Sequence, residues 1–68
     1  MQLTEGELLH IGEQLRAEAA AIAKSDAWAE QSGDPGLRQF YKDIANRHRA
    51  HYEKILHSIQ NLIDSSQL

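Results

Sequence analysis

PGLRQFYKDIANRHRAHYEKILHSIQNLI, residues 35–63, is the stretch whose reading decides the fold. Leu37, Tyr41, Ile44, Ile55, Ile59 and Leu62 recur in it at three- and four-residue steps, and His48 and His51 continue those steps through the middle. Such spacing gathers side chains onto one face of an α-helix. Residues three apart stand one turn apart on that face. Two imidazoles therefore occupy positions where a buried stripe calls for Leu or Ile. Burying a polar group costs free energy unless a partner satisfies it. The rest of the chain has to be searched for that partner.

Working backwards from residue 35, the sequence punctuates itself clearly. Gly33 suits the left-handed residue that ends a helix, Asp34 is a good N-cap, and Pro35 belongs at a first helical position. An earlier helix is announced by Thr4 three residues before Glu7, the spacing of a capping box, with Leu3 placed to staple onto Leu8. Its apolar stripe runs Leu8, Ile11, Leu15, Ile22 and Ala29, and residues 17–23 are rich in alanine, which favours helix and close approach of a neighbour. The expected elements are helix one over about residues 5–32 and helix two over about residues 35–63, in a single domain of residues 1–68. The tail Ser65-Ser66-Gln67-Leu68 is expected to fray. No strand pattern, repeat or low-complexity run appears.

Size sharpens the expectation. Sixty-eight residues bury little surface and usually need a staple or a partner. With no Cys, disulfides are excluded, leaving metal or oligomerisation. Two helices of about 28 residues, each ~42 Å long, joined by a short turn, pack antiparallel. One hairpin covers only one side of each apolar stripe. The expected architecture is all-α, an antiparallel helical hairpin forming a four-helix bundle by homodimerisation. Net charge is −3 with acids and bases interleaved, so no basic patch invites nucleic acid. No signal core or membrane-length apolar run is visible, and the chain reads as soluble and cytoplasmic.

Antiparallel register names the partner of the histidines. Facing positions in this hairpin should sum to about 67. Leu8 then meets Ile59, Leu15 meets Tyr52 and Ala29 meets Leu37. The level of His48 and His51 is that of Glu18, which interrupts the stripe of helix one between Leu15 and Ile22. Both interruptions lie at mid-length, where a twofold axis would bring the second copy to the same height. The dimer core would collect two Glu and four His. Carboxylate and neutral imidazole bind zinc, iron, manganese, copper or nickel, and a His-rich set argues against magnesium or calcium. The candidate metal ligands are Glu18, His48 and His51. The competing reading is a metal-free hydrogen-bonded network that fixes helix register.

This constellation resembles the ferritin-like carboxylate proteins, in which a hairpin supplies Glu from its first helix and Glu-x-x-His from its second. Glu18 matches the first Glu and His51 the His, while His48 stands where that family has Glu. Two carboxylates per dimer instead of four suit one metal ion better than two. The segments LTEGELL and GDPGLRQFYKDIANRHRAHYEKIL also resemble small ferritin-like proteins of endospore-forming bacteria related to spore coat protein F. That resemblance covers nearly the whole chain. It implies a ferritin-like helical fold and a spore-associated structural or assembly role, with spore coat or other proteins as partners. The alternative function is a metal-binding protein holding iron, zinc or manganese in a site shared by two chains, with a redox role open to it.

Other residues carry blander expectations. His10 and His57 fall on outward faces. Trp28, Phe40 and Tyr41 gather near the turn as an aromatic cluster. Tyr52 either packs or hydrogen-bonds into the polar layer. No nucleophile triad, phosphate-cradling glycine loop or zinc-protease motif is present, so no catalytic residue is named.

Overall fold

The computed structural model describes residues 3–66. Two helices make up nearly all of them, α1 (Glu5–Gln31) and α2 (Pro35–Ser66). The start of α1 is fixed by the capping box read from the sequence. The Glu7 N–H donates to Thr4 Oγ1 (3.1 Å), and the Thr4 N–H donates to Glu7 Oε1 (3.0 Å). Two backbone donors that a helix start leaves without partners are thereby satisfied.

The turn is closed by side chains rather than by a left-handed glycine. Ser32 caps α1 in extended conformation, and its N–H donates to the Trp28 carbonyl at 3.0 Å. No glycine among the described residues has a positive φ, which corrects the role expected of Gly33. Arg38 contributes instead, because its Nε and Nη2 both donate to the Ser32 carbonyl, at 3.2 and 2.9 Å. Asp34 caps α2 as expected, with Oδ2 accepting the Leu37 N–H at 2.7 Å.

α2 runs on past Ile63 to Ser66. Gln60 Nε2 donates to Asp64 Oδ1 (3.0 Å), and Ser65 Oγ donates to the Asn61 carbonyl (2.8 Å). The helix thus includes Ser65 and Ser66 of the tail expected to fray; Gln67 and Leu68 lie outside the described residues.

α2 folds back antiparallel along α1, and small side chains mark the seam. Ala45 is completely buried, and Ala29 and Ser25 nearly so. Glu18 is the fourth buried residue, only 7% exposed. The large apolar residues behave differently. Ile11, Leu15 and Ile22 of α1 and Ile44, Ile55, Ile59 and Leu62 of α2 are only half-buried. Leu8 and Leu37, at the two ends of the expected stripe, are exposed. The stripe thus lies to one side of the seam, where a single hairpin cannot cover it. The molecule is a slab measuring 52 × 19 × 10 Å, one helix thick. Its radius of gyration, 15.7 Å, exceeds the ~11 Å of a compact domain of this length. The chain is an all-helical hairpin of two antiparallel helices.

Ala45 is fully buried between the helices, so a larger side chain there is expected to push them apart. Ala45→Leu is expected to destabilise the protein by about 1–3 kcal/mol in urea unfolding. Leu at exposed Ala50 should stay within about 0.5 kcal/mol of the parent. Equal effects at the two positions would remove Ala45 from the seam.

Candidate polar centre of the hairpin

Glu18 is the midpoint of α1, and His48 and His51 flank the midpoint of α2. The structure brings all three together. Glu18 Oε2 lies 2.7 Å from His48 Nδ1, and Glu18 Oε1 lies 2.7 Å from His51 Nδ1. One carboxylate spans two imidazoles on successive turns of the facing helix. The spacing of three residues makes this possible, because it stacks both rings on the face that α1 covers.

The chemistry of the acceptor sets the protons. An ionised carboxylate only accepts hydrogen bonds, so each Nδ1 must carry hydrogen and donate. The bonds donated by His48 and then His51 hold the Glu18 carboxyl below its ordinary value of 4.5, against the opposing effect of burial. Glu18 is therefore ionised at neutral pH. No buried side-chain nitrogen or oxygen among the described residues lacks a hydrogen-bond partner. The cost of putting a carboxylate into the seam is offset by its two charge-assisted bonds.

The three side chains differ in exposure. The Glu18 side chain is 8% exposed, His48 37% and His51 52%. The carboxylate is inside and the rings reach outward. Among the described residues no group of three or more His, Cys, Asp or Glu side chains within this one chain is placed to hold a metal ion. Both Glu18 oxygens are occupied by N–H donors, so the three candidate ligands do not converge on a common point.

Neighbouring features match the sequence reading in part. Trp28 and Tyr41 rings stand 5.4 Å apart and Phe40 and Tyr41 rings 5.6 Å apart, forming the aromatic cluster near the turn. Trp28 and Phe40 remain about half exposed. His10 and His57 are exposed. Asp26 of α1 pairs with Arg49 of α2 on the surface, where screening leaves such a pair little net effect on stability. Tyr52 is half-buried.

The register places Ala45 or Ile44 opposite Ile22, and it is Ala45 that is buried; Ser25, buried beside the polar centre, is the residue sequence reading misses. The signal is present in the spacing. Ser25 lies seven residues after Glu18, and Ala45 three before His48, so both share the faces already assigned. Hydrophobic periodicity overlooks Ser25 because it is small, although small residues are what a close helix crossing needs.

The fold is that of an all-α hairpin with a carboxylate–imidazole centre. No protein-family model matches the chain, and no curated protein or solved structure does either. No helix among the described residues is long and apolar enough to cross a membrane.

The depressed Glu18 carboxyl fixes a pH dependence. A group whose value is lower in the folded state contributes stability that is intact above its unfolded value and is lost as pH falls through the folded one. The stability advantage of the parent over Glu18→Gln should be intact at pH 4.5 and above and vanish below it. Urea unfolding of both proteins from roughly pH 3 to 7 checks this. An advantage that persists unchanged at the acid end would mean the two imidazole bonds do not stabilise the fold.

Proposed function

We propose that the chain is a homodimeric assembly protein, a ferritin-like four-helix bundle resembling the small spore coat proteins, whose Glu18–His48–His51 layer fixes how the helices register. The observation that carries this reading is the apolar stripe left open beside the seam. The chain exposes 5251 Å². A compact monomer of 7.7 kDa exposes about 4300 Å². The excess is of the size that each partner contributes to a standard interface, about 800 Å². A second hairpin laid on that face supplies the missing half of the bundle. The polar layer then sits at mid-length of the dimer, where it opposes sliding of one helix along another, because a shift by one turn costs the buried carboxylate at least one of its two imidazole bonds. A cytoplasmic or spore-associated site of action, with coat or other proteins as partners, follows from the resemblance alone.

A second reading is favoured by one feature of the polar layer. It is a metal-binding protein whose site is shared by two chains and takes iron, zinc or manganese, with a redox role as its furthest extension. Two half-exposed imidazoles held in fixed orientation by a buried carboxylate are the kind of donors such a site needs. Neither reading requires a catalytic residue.

Sedimentation equilibrium should give a species of about twice the chain mass at micromolar concentration. Ile55→Asp puts a charge into the open stripe and is expected to yield a helical monomer, seen as halved mass with helical circular dichroism retained. A parent protein that sediments as a monomer would remove both readings, since each needs the second chain.

A further inference from the structure

We infer that the metal-binding atoms of this protein are the Nε2 atoms of His48 and His51, four per dimer around one divalent transition ion of borderline softness, with Glu18 orienting the rings instead of ligating the metal. This rests on the dimer reading and deepens its metal-binding alternative. Each Nδ1 lies 2.7 Å from a Glu18 oxygen and must donate its hydrogen there. In a neutral imidazole the proton on Nδ1 leaves a lone pair on Nε2. The two nitrogens lie on opposite flanks of the ring, so Nε2 is directed away from Glu18. A carboxylate on one ring nitrogen with a metal on the other is the recurrent way proteins orient metal-binding histidines.

The placement of the rings points the same way. They are the exposed members of the triad, at 37% and 52%. His51 also lines an open groove of about 320 Å³ together with Ile11, Ile55, Ile59 and Leu62, and with Lys54 and Ser58. That groove belongs to the apolar stripe which the second hairpin would cover. His51 therefore borders the surface on which a second chain would lie. Since the triad occupies the midpoints of both helices, a twofold axis through the middle of the bundle brings two triads to one level. A single chain offers only two such nitrogens, consistent with no metal-holding group of three forming within its described residues.

Charge selects the stoichiometry. An imidazole that ligates a metal through Nε2 while Nδ1 keeps its hydrogen is neutral, so in the metal-bound dimer the two Glu18 carboxylates give the layer two negative charges. One divalent ion neutralises them, and a second would leave an unbalanced positive core. Four imidazole nitrogens suit zinc, cobalt(II) or copper(II), and not magnesium or calcium.

Zinc titration of the chelator-treated protein, combined with long-range 1H–15N NMR of its histidines, tests this. Recorded at a pH well above the ordinary imidazole range of ~6.5, the metal-free spectrum should show Nδ1–H and an unprotonated Nε2 for both His48 and His51. Zinc should bind at one ion per two chains and shift the Nε2 resonances, while Nδ1 stays protonated. His48→Gln and His51→Gln should each abolish stoichiometric binding, and His10→Gln should not. Glu18→Gln should weaken binding by about 10–100-fold and leave the cobalt(II) spectrum that of a nitrogen-ligated tetrahedral site. An Nε2–H tautomer, zinc on Nδ1, or no stoichiometric zinc overturns the inference. The spectrum of the parent protein decides even where a variant fails to fold. A chelator-treated protein that sediments as a dimer yet takes no zinc removes this inference alone. A monomer at every zinc level removes the dimer reading with it.

Discussion

The bond between one carboxylate and two imidazoles across the helix seam is the constraint on which the hairpin's arrangement turns. Glu18 sits 8% exposed with each oxygen 2.7 Å from a ring nitrogen. A carboxylate in that position favours this register over its neighbours. Sliding α2 by one turn, three or four residues, would leave at most one histidine opposite it, and part of the desolvation penalty would go uncompensated. Apolar contacts along the same seam are far less discriminating, because one aliphatic side chain replaces another at modest cost. The polar pair therefore sets the register, and the small residues Ser25, Ala29 and Ala45 set the distance between helices.

That division of labour explains why the large apolar residues are left over. Helices that approach through Ala and Ser have their bulky neighbours displaced to the flank. Ile11, Leu15, Ile22, Ile55 and Ile59 are half-buried for this reason. A hairpin so built has a tight seam and an unfinished core. Its elongation, with a radius of gyration of 15.7 Å against ~11 Å for a compact domain, expresses the same fact at the scale of the whole chain.

Much of this is legible in the residue order. Thr4 and Glu7 mark the first helix, Asp34-Pro35 the second, and the register sum of about 67 brings Glu18 to His48 and His51 from the sequence alone. Periodicity and chain reversal suffice for that, because they are one-dimensional constraints. The turn is less legible. A glycine after a helix has several ways to continue, and Arg38 reaching back to the Ser32 carbonyl is a contact over six residues that no capping pattern encodes. The large apolar residues of the stripe flank the seam instead of filling it, because Glu18 and the small residues Ser25, Ala29 and Ala45 occupy the closest approach. Ser25 and Ala45 carry almost no hydrophobic signal and are nonetheless among the most deeply buried residues.

The atoms of the polar layer are beyond sequence altogether. Residue types make Glu18, His48 and His51 equal candidates for a single role as ligands, whereas their geometry separates them into an acceptor and two donors. Ionised carboxylate oxygens that already accept two N–H bonds are poorly available to a cation, and imidazoles that have given their Nδ1 hydrogen retain a basic nitrogen on the other flank. The same hydrogen bonds that fix register therefore also fix tautomer. In this hairpin one set of contacts fixes both which residues of the two helices face each other and which nitrogen of each ring faces the carboxylate.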